Sequence, residues 1–163
     1  MRILHSGLKN VSYGKNVKVV NPSNLYDCTL EDDVFVGPFC EIQSQVKIGR
    51  RTRIQSHSFI CSLVEIGQDC FIGHGVMFIN DRFTEGFPAQ SKDLWEGTRI
   101  GNNVSIGSNA TILPVNICDN VVIGAGAVVT RSITQSGIYA GNPASLLRKL
   151  PQENTAKGQN NES

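Results

Sequence analysis

Every sixth residue from Leu30 to Phe78 is apolar: Leu30, Val36, Ile42, Ile48, Ile54, Ile60, Ile66, Ile72 and Phe78. The series resumes at Ile100, Ile106 and Ile112, then shifts by one residue to Ile117, Ile123 and Val129. Upstream, Tyr13, Val19 and Leu25 continue it in a further shifted frame. An α-helix cannot hold a strict period of six on one face. A short strand followed by a corner can. Eleven of the fifteen isoleucines fall on the series, and β-branched side chains suit a pleated surface.

Two secondary positions support the register. The residue after the aliphatic is often glycine, as at Gly37, Gly49, Gly67, Gly73, Gly101, Gly107 and Gly124. This reads as a tight corner with positive φ. Four residues after the aliphatic come small or β-branched side chains, among them Val34, Cys40, Thr52, Ser58, Cys70, Val104, Ala110 and Ala127. Each hexad therefore points one large and one small residue inward, and three hexads make a triangular coil. The aliphatics sort into three columns. The first holds Tyr13, Leu30, Ile48, Ile66, Ile100 and Ile117; the second holds Val19, Val36, Ile54, Ile72, Ile106 and Ile123; the third holds Leu25, Ile42, Ile60, Phe78, Ile112 and Val129. The expected fold is all-β: a parallel β-helix of about six triangular coils, stacked at the ~4.8 Å spacing of paired strands.

The regularity breaks at two places. Phe78 to Ile100 spans 22 residues where six would close the hexad. This predicts a loop insertion over 79–99, which contains Asn80, Asp81, Arg82, Phe83 and the only tryptophan, Trp95. A long loop on a rigid solenoid points to function. Beyond Val129, Asn142 reads as an N-cap and Pro143 as the first residue of a short C-terminal helix over about 143–150. Residues 151–163 lack apolar periodicity and read as a disordered tail. One domain over 1–150 fits the length.

Fifteen Lys plus Arg against fourteen Asp plus Glu leave a net charge of +1. That balance gives no field for nucleic acid. No apolar stretch approaches the roughly 20 residues of a membrane span, and the start lacks a signal-peptide core. The five cysteines form no zinc spacing or C-x-x-C pair, so a reducing cytoplasm is expected. Cys40 and Cys70 take the small inward position. The histidines are His5, His57 and His74. His57 and His74 face outward at one edge, on adjacent coils, where they read either as surface imidazoles or as a polar wall of a cleft. Flat prism faces offer few pockets, so a cleft forms most easily between subunits.

The repeat resembles that of the hexapeptide-repeat acyltransferase superfamily, [LIV]-G-x-x-[STAV]-x, over about residues 10–150. That resemblance implies a left-handed β-helix and a homotrimer. Ile72-Gly73-His74-Gly75-Val76-Met77-Phe78-Ile79-Asn80-Asp81-Arg82-Phe83 resembles the "IGxxVxFTNDxxP" segment of bacterial N-acetyltransferases that act on nucleotide-linked 3-amino sugars. Ile100 to Pro114 resembles their "IGANATILPGV" coil, and Ile123 to Arg131 with Ala140-Gly141-Asn142-Pro143-Ala144 resembles their "VGAGAVVTKDV…VGNPA" ending. Two departures stand out. The glycine after Pro114 is missing, which shortens that hexad by one, and Thr84-Glu85-Gly86 replaces the usual Pro-Arg-Ser.

The resemblance implies acetyl transfer from acetyl-CoA, without a metal, to the amine of a nucleotide sugar. The setting would be surface-polysaccharide, lipopolysaccharide or other glycan precursor biosynthesis, with sites between subunits. Sugar O-acetylation is the alternative, with His57 or His74 as base. The superfamily's O-acetyltransferases carry a catalytic histidine in the loop. No histidine follows His74 here, and Asn80 stands in the loop instead. An amine needs less help than a hydroxyl, so Asn80 is expected to orient it. Asn80, His57 and His74 are thus the catalytic candidates. Gln55, Asp81, Arg82, Phe83 and Trp95 are the substrate-binding ones. Gly107, Ala110, Ala125 and Gly126 should line the pantetheine arm, with Arg131, Arg148 and Lys149 on the phosphates. The three-histidine metal site of the γ-class carbonic anhydrases has no counterpart in this histidine spacing.

Overall fold

The computed structural model describes residues 7–150. Twenty-one short strands, most of two residues, build three sheets of six, eight and seven strands, parallel throughout except for the last strand. The sheets are the three predicted columns. Leu30 pairs with Ile48, Ile48 with Ile66, Ile66 with Ile100 and Ile100 with Ile117 on the first face. The second face stacks Val36, Ile54, Ile72, Ile106 and Ile123, and the third stacks Leu25, Ile42 and Ile60. Phe78 pairs with Ile112, and Ile112 with Val129. The core is this lattice: every aliphatic from Leu25 to Val129 is buried, as are the small inward residues from Val34 to Ala127. Burying one such side chain contributes about 1.5–3 kcal/mol, and the repeat multiplies that gain along the axis.

The corners correct one expectation. The glycines after the aliphatics do not take positive φ. The left-handed residues sit further along, and most are Asn, Asp or other non-glycines, such as Asp33, Asp69, Asn103 and Asn120. Asn and Asp tolerate that conformation best among the rest. The glycines are required by close approach instead. A Cβ on Gly67 would lie 2.6 Å from the Gly101 carbonyl oxygen, and one on Gly73 would lie 2.7 Å from the Ile106 oxygen.

Both ends differ from the reading. Tyr13 is 74% exposed, because the coil below it is only begun, by Leu8–Lys9 against Leu25–Tyr26. At the other end Ile133 bridges Ile117, and Gly137–Ala140 adds a strand to the second face, making about seven turns. The C-terminal helix is absent. Gly141 to Ala144 form a turn, and Ser145–Arg148 returns antiparallel along Gly137–Ala140. The physical reason is the sheet edge. An exposed helix of eight residues is marginal by itself, whereas the last strand offers open amides and carbonyls to a partner. The tail over 151–163 and His5 lie outside the described residues. No helix among the described residues is long and apolar enough to cross a membrane.

Candidate active site

The loop begins where the third face turns to the first. Its neck is closed by the Glu96 amide, which donates to the Asn80 carbonyl at 2.9 Å. Asp81 braces the interior: its carboxylate accepts from the Phe83 amide at 2.9 Å and the Ala89 amide at 2.7 Å. Arg82 pairs with Glu96 at 3.2 Å and donates to the Pro114 carbonyl. Pro114 lies within the hexad that lacks its glycine, so the shortened corner is where the loop is anchored. Asp81 and Arg82, expected on substrate, are thus engaged in holding the loop. The side chain of Asn80 makes no hydrogen bond among the described residues, so it is left available on a braced backbone. Phe83 is exposed, and half-buried Trp95 has the Lys92 ammonium 5.7 Å from its ring centroid.

A second constellation stands where the second face turns to the third. Gln55, Ser56 and His57 lie on one coil, with Gly73, His74 and Gly75 on the next. Gly107, Ser108 and Asn109 follow, then Gly124, Ala125 and Gly126. Backbone bonds lock these layers. Gly75 donates to the Ser56 carbonyl at 3.0 Å, Asn109 to that of His74 at 2.8 Å, and Gly126 to that of Ser108 at 2.9 Å. The two histidines do not face each other. His57 takes φ 64° and stacks on Phe39, ring centroids 4.9 Å apart. His74 lies against Ser56, with 2.8 Å between Nδ1 and Oγ. Gln55 is half-buried beside them, and its carbonyl accepts from the Cys40 thiol at 3.1 Å.

The predicted coenzyme residues divide. Gly107, Ala125 and Gly126 rise along this corner above His74. A Cβ on Gly107 would come within 2.8 Å of the Ala125 Cα, so the strip is narrow by necessity. Ala110 does not belong to it. Its side chain is 0% exposed and fills the coil interior, as its place four residues after Ile106 dictates. Arg131 is exposed past the third face, whereas Arg148 pairs across from Ile138 on the second. Lys149 follows Arg148 and is likewise exposed. An open groove of about 790 Å³ runs along the first face past Lys47, Glu65, Arg99, Gly101 and Cys118 and includes no predicted site residue.

Sequence reasoning missed Ser56 and Phe39, the partners of the two histidines. Both lie one coil away, and the signal was in the columns: His74 minus one coil is Ser56, and His57 minus one coil is Phe39.

Comparison with known proteins places this architecture. Residues 97–131 match the family described as hexapeptide repeat of succinyl-transferase, and residues 27–62 match bacterial transferase hexapeptide (six repeats). A putative acetyltransferase of Saccharomyces cerevisiae is 32% identical over 142 residues, covering 80% of this chain and 69% of its own. The bifunctional protein GlmU of Rubrobacter xylanophilus is 29% identical over 129 residues, or 79% of this chain but 25% of GlmU. The chain thus spans about a quarter to a third of the GlmU proteins it matches. Among solved structures, a mutant of AntD, an N-acyltransferase from Bacillus cereus in complex with dTDP and coenzyme A, aligns with a TM-score of 0.77 and 21% identity, covering 87% of this chain and 85% of that one. The six-residue lattice, the three stacked columns and the yeast relative together show that this chain belongs to the hexapeptide-repeat transferase family.

Proposed function

We propose that the protein is an acetyl-CoA-dependent N-acetyltransferase acting on the amino group of a nucleotide-activated amino sugar, in the cytoplasmic supply of glycan or lipopolysaccharide precursors. The observation that carries this reading is the braced loop, which immobilises its own backbone and leaves the Asn80 amide free. Family membership and the fold shared with AntD, which binds dTDP and coenzyme A, support the choice of substrates. In the reaction, the amine lone pair attacks the thioester carbonyl carbon and a C–N bond forms. The carbonyl π pair moves to oxygen, then returns as the C–S bond breaks. The thiolate leaves with that electron pair, and the ammonium proton passes to it by way of solvent. Asn80 Oδ1 accepts from the amine and aims its lone pair, so that positioning supplies much of the rate.

The site requires a second copy. Asn80 and His74 lie six residues apart, with the strand Met77–Phe78 between them, on two different corners. Neighbouring prisms standing side by side bring one copy's loop to another copy's histidine corner, and three copies close the ring. The surface fits: Phe39, Phe71 and Met77 are exposed around the histidine corner, while the first face presents Lys47, Glu65 and Arg99.

The test is release of free thiol from acetyl-CoA with a panel of amino and hydroxy sugar nucleotides. Thiol release with amino acceptors is expected, and Asn80→Ala should lower kcat/KM by at least about tenfold. Release with hydroxy acceptors alone would establish O-acetylation instead.

A further inference from the structure

We propose that Ser56 is a positioning residue that fixes His74 as its Nε2–H tautomer, and that this N–H donates to the carbonyl oxygen of the bound acetyl thioester. The role in catalysis rests on the acetyl-transfer reading above; the tautomer does not. Ser56 Oγ and His74 Nδ1 are 2.8 Å apart. Among the described residues this is the sole hydrogen bond of either side chain. In the proposed arrangement the Ser56 hydroxyl donates and Nδ1 accepts, a direction that the tautomer measurement below decides. A neutral imidazole carries one N–H and one lone pair, so an Nδ1 that accepts leaves the hydrogen on Nε2.

The surroundings favour a donor over a base. A histidine base is commonly oriented by Nδ1–H donating to a carboxylate or a carbonyl. His74 has a hydroxyl there, and among the described residues no carboxylate bonds to it. Its backbone is held on both sides. Gly73 donates to the Ile106 carbonyl at 2.8 Å, and the His74 carbonyl accepts from Asn109 at 2.8 Å. His74 also stands at the foot of the strip formed by Gly107, Ala125 and Gly126. In the proposed arrangement the pantetheine arm descends that strip, so that its thioester would reach His74, two coils below Ala125. His57 is no substitute, because its ring is stacked on Phe39. When the amine attacks, the carbonyl π pair becomes an oxyanion, and a fixed donor at that oxygen stabilises it without transferring its proton. Collapse restores the C=O bond and expels the thiolate.

Two measurements test this. In protein labelled with 15N-histidine, at about pH 8, His74 is expected as a single Nε2–H tautomer. Ser56→Ala should give a mixture. A dominant Nδ1–H form in the unaltered protein would overturn the proposal. In the thiol-release assay, His74→Ala should lower kcat about 10²–10³-fold, the effect of deleting one oxyanion donor, with KM nearly unchanged. His74→Gln keeps an N–H but is no base, and should retain at least about ten times the kcat of His74→Ala. Equal losses in the two variants would overturn the donor role. No transfer to any amino acceptor by the unaltered protein would overturn the donor role together with the functional reading. The NMR tautomer tells these failures apart.

Discussion

The small inward position does more than fill space. Thr52 Oγ1 donates to the Gly67 carbonyl at 2.8 Å, Ser58 Oγ to that of Gly73 at 2.9 Å, and the Cys40 and Cys70 thiols to those of Gln55 and Gly101 at 3.1 Å each. Each acceptor is the residue just past the aliphatic of a neighbouring strand. A polar side chain is admitted to the core there because the corner supplies its partner. Thr52 also accepts from the Cys70 amide at 3.0 Å. Thr52→Val should therefore cost about 2–3 kcal/mol, since it leaves a buried amide and a carbonyl unpaired, whereas Thr52→Ser should cost less. Urea denaturation checks both. The buried thiols give a pH dependence. Burial pushes Cys61 up to about 12 and Cys28 to about 11 from an ordinary value of 9.0. Between those values the unfolded chain loses thiol protons that the folded chain keeps. Stability should be intact below pH 9 and fall as pH rises towards 12, by at most about 1.4 kcal/mol per pH unit per thiol. Urea midpoints at pH 8 and 10.5 should show the fall, and Cys61→Ala should reduce its steepness. The position of these residues was plain in the sequence. The reason for glycine was not: period alone cannot distinguish a residue that needs positive φ from one that leaves no room for a Cβ.

At the scale of elements, the excursion and the lattice are separable. Val64 pairs with Thr98 and Ile66 with Ile100 as though nothing intervened. The hexad shortened after Ile112 is likewise absorbed at its corner, since Ile100 still meets Ile117 and Ile112 still meets Val129. Replacing 81–96 with a two-residue link should therefore keep the β circular-dichroism spectrum and cooperative unfolding, and abolish thiol release. Loss of folding would show that the loop is part of the core. The loop was legible as an interruption of the period. Its bracing by Asp81 and Arg82 was not, because such local polar contacts carry no periodic signal. The terminal strand was misread for a related reason. Asn-Pro-Ala followed by Leu-Leu reads locally as a helix start, but the open edge of Gly137–Ala140 decides in favour of pairing. Truncation after Ala144 should expose that edge, lower Tm and increase self-association in light scattering.

At the scale of the whole molecule, the prism keeps its two sets of reactive groups on separate corners. Within one chain Asn80 and His74 flank the third-face strand Met77–Phe78, one on either side. The sequence already contained this separation, since the two residues lie one hexad apart, each two places after its aliphatic, and so belong to different columns of the triangular coil. It did not show which neighbour supplies the missing half. If sites form between copies, each uses the loop of one and the histidine corner of another. Then Asn80→Ala and His74→Ala each damage every site in a pure preparation. In a trimer mixed at random from equal amounts, a quarter of the interfaces draw Asn80 from one intact loop and His74 from one intact corner. Co-refolding the two inactive variants should therefore restore about a quarter of the original kcat per site. Light scattering on the same sample should give three times the 17.7 kDa chain mass. Mixed trimers no more active than the separate variants would place the whole site within one chain and remove the reason for the shared cleft.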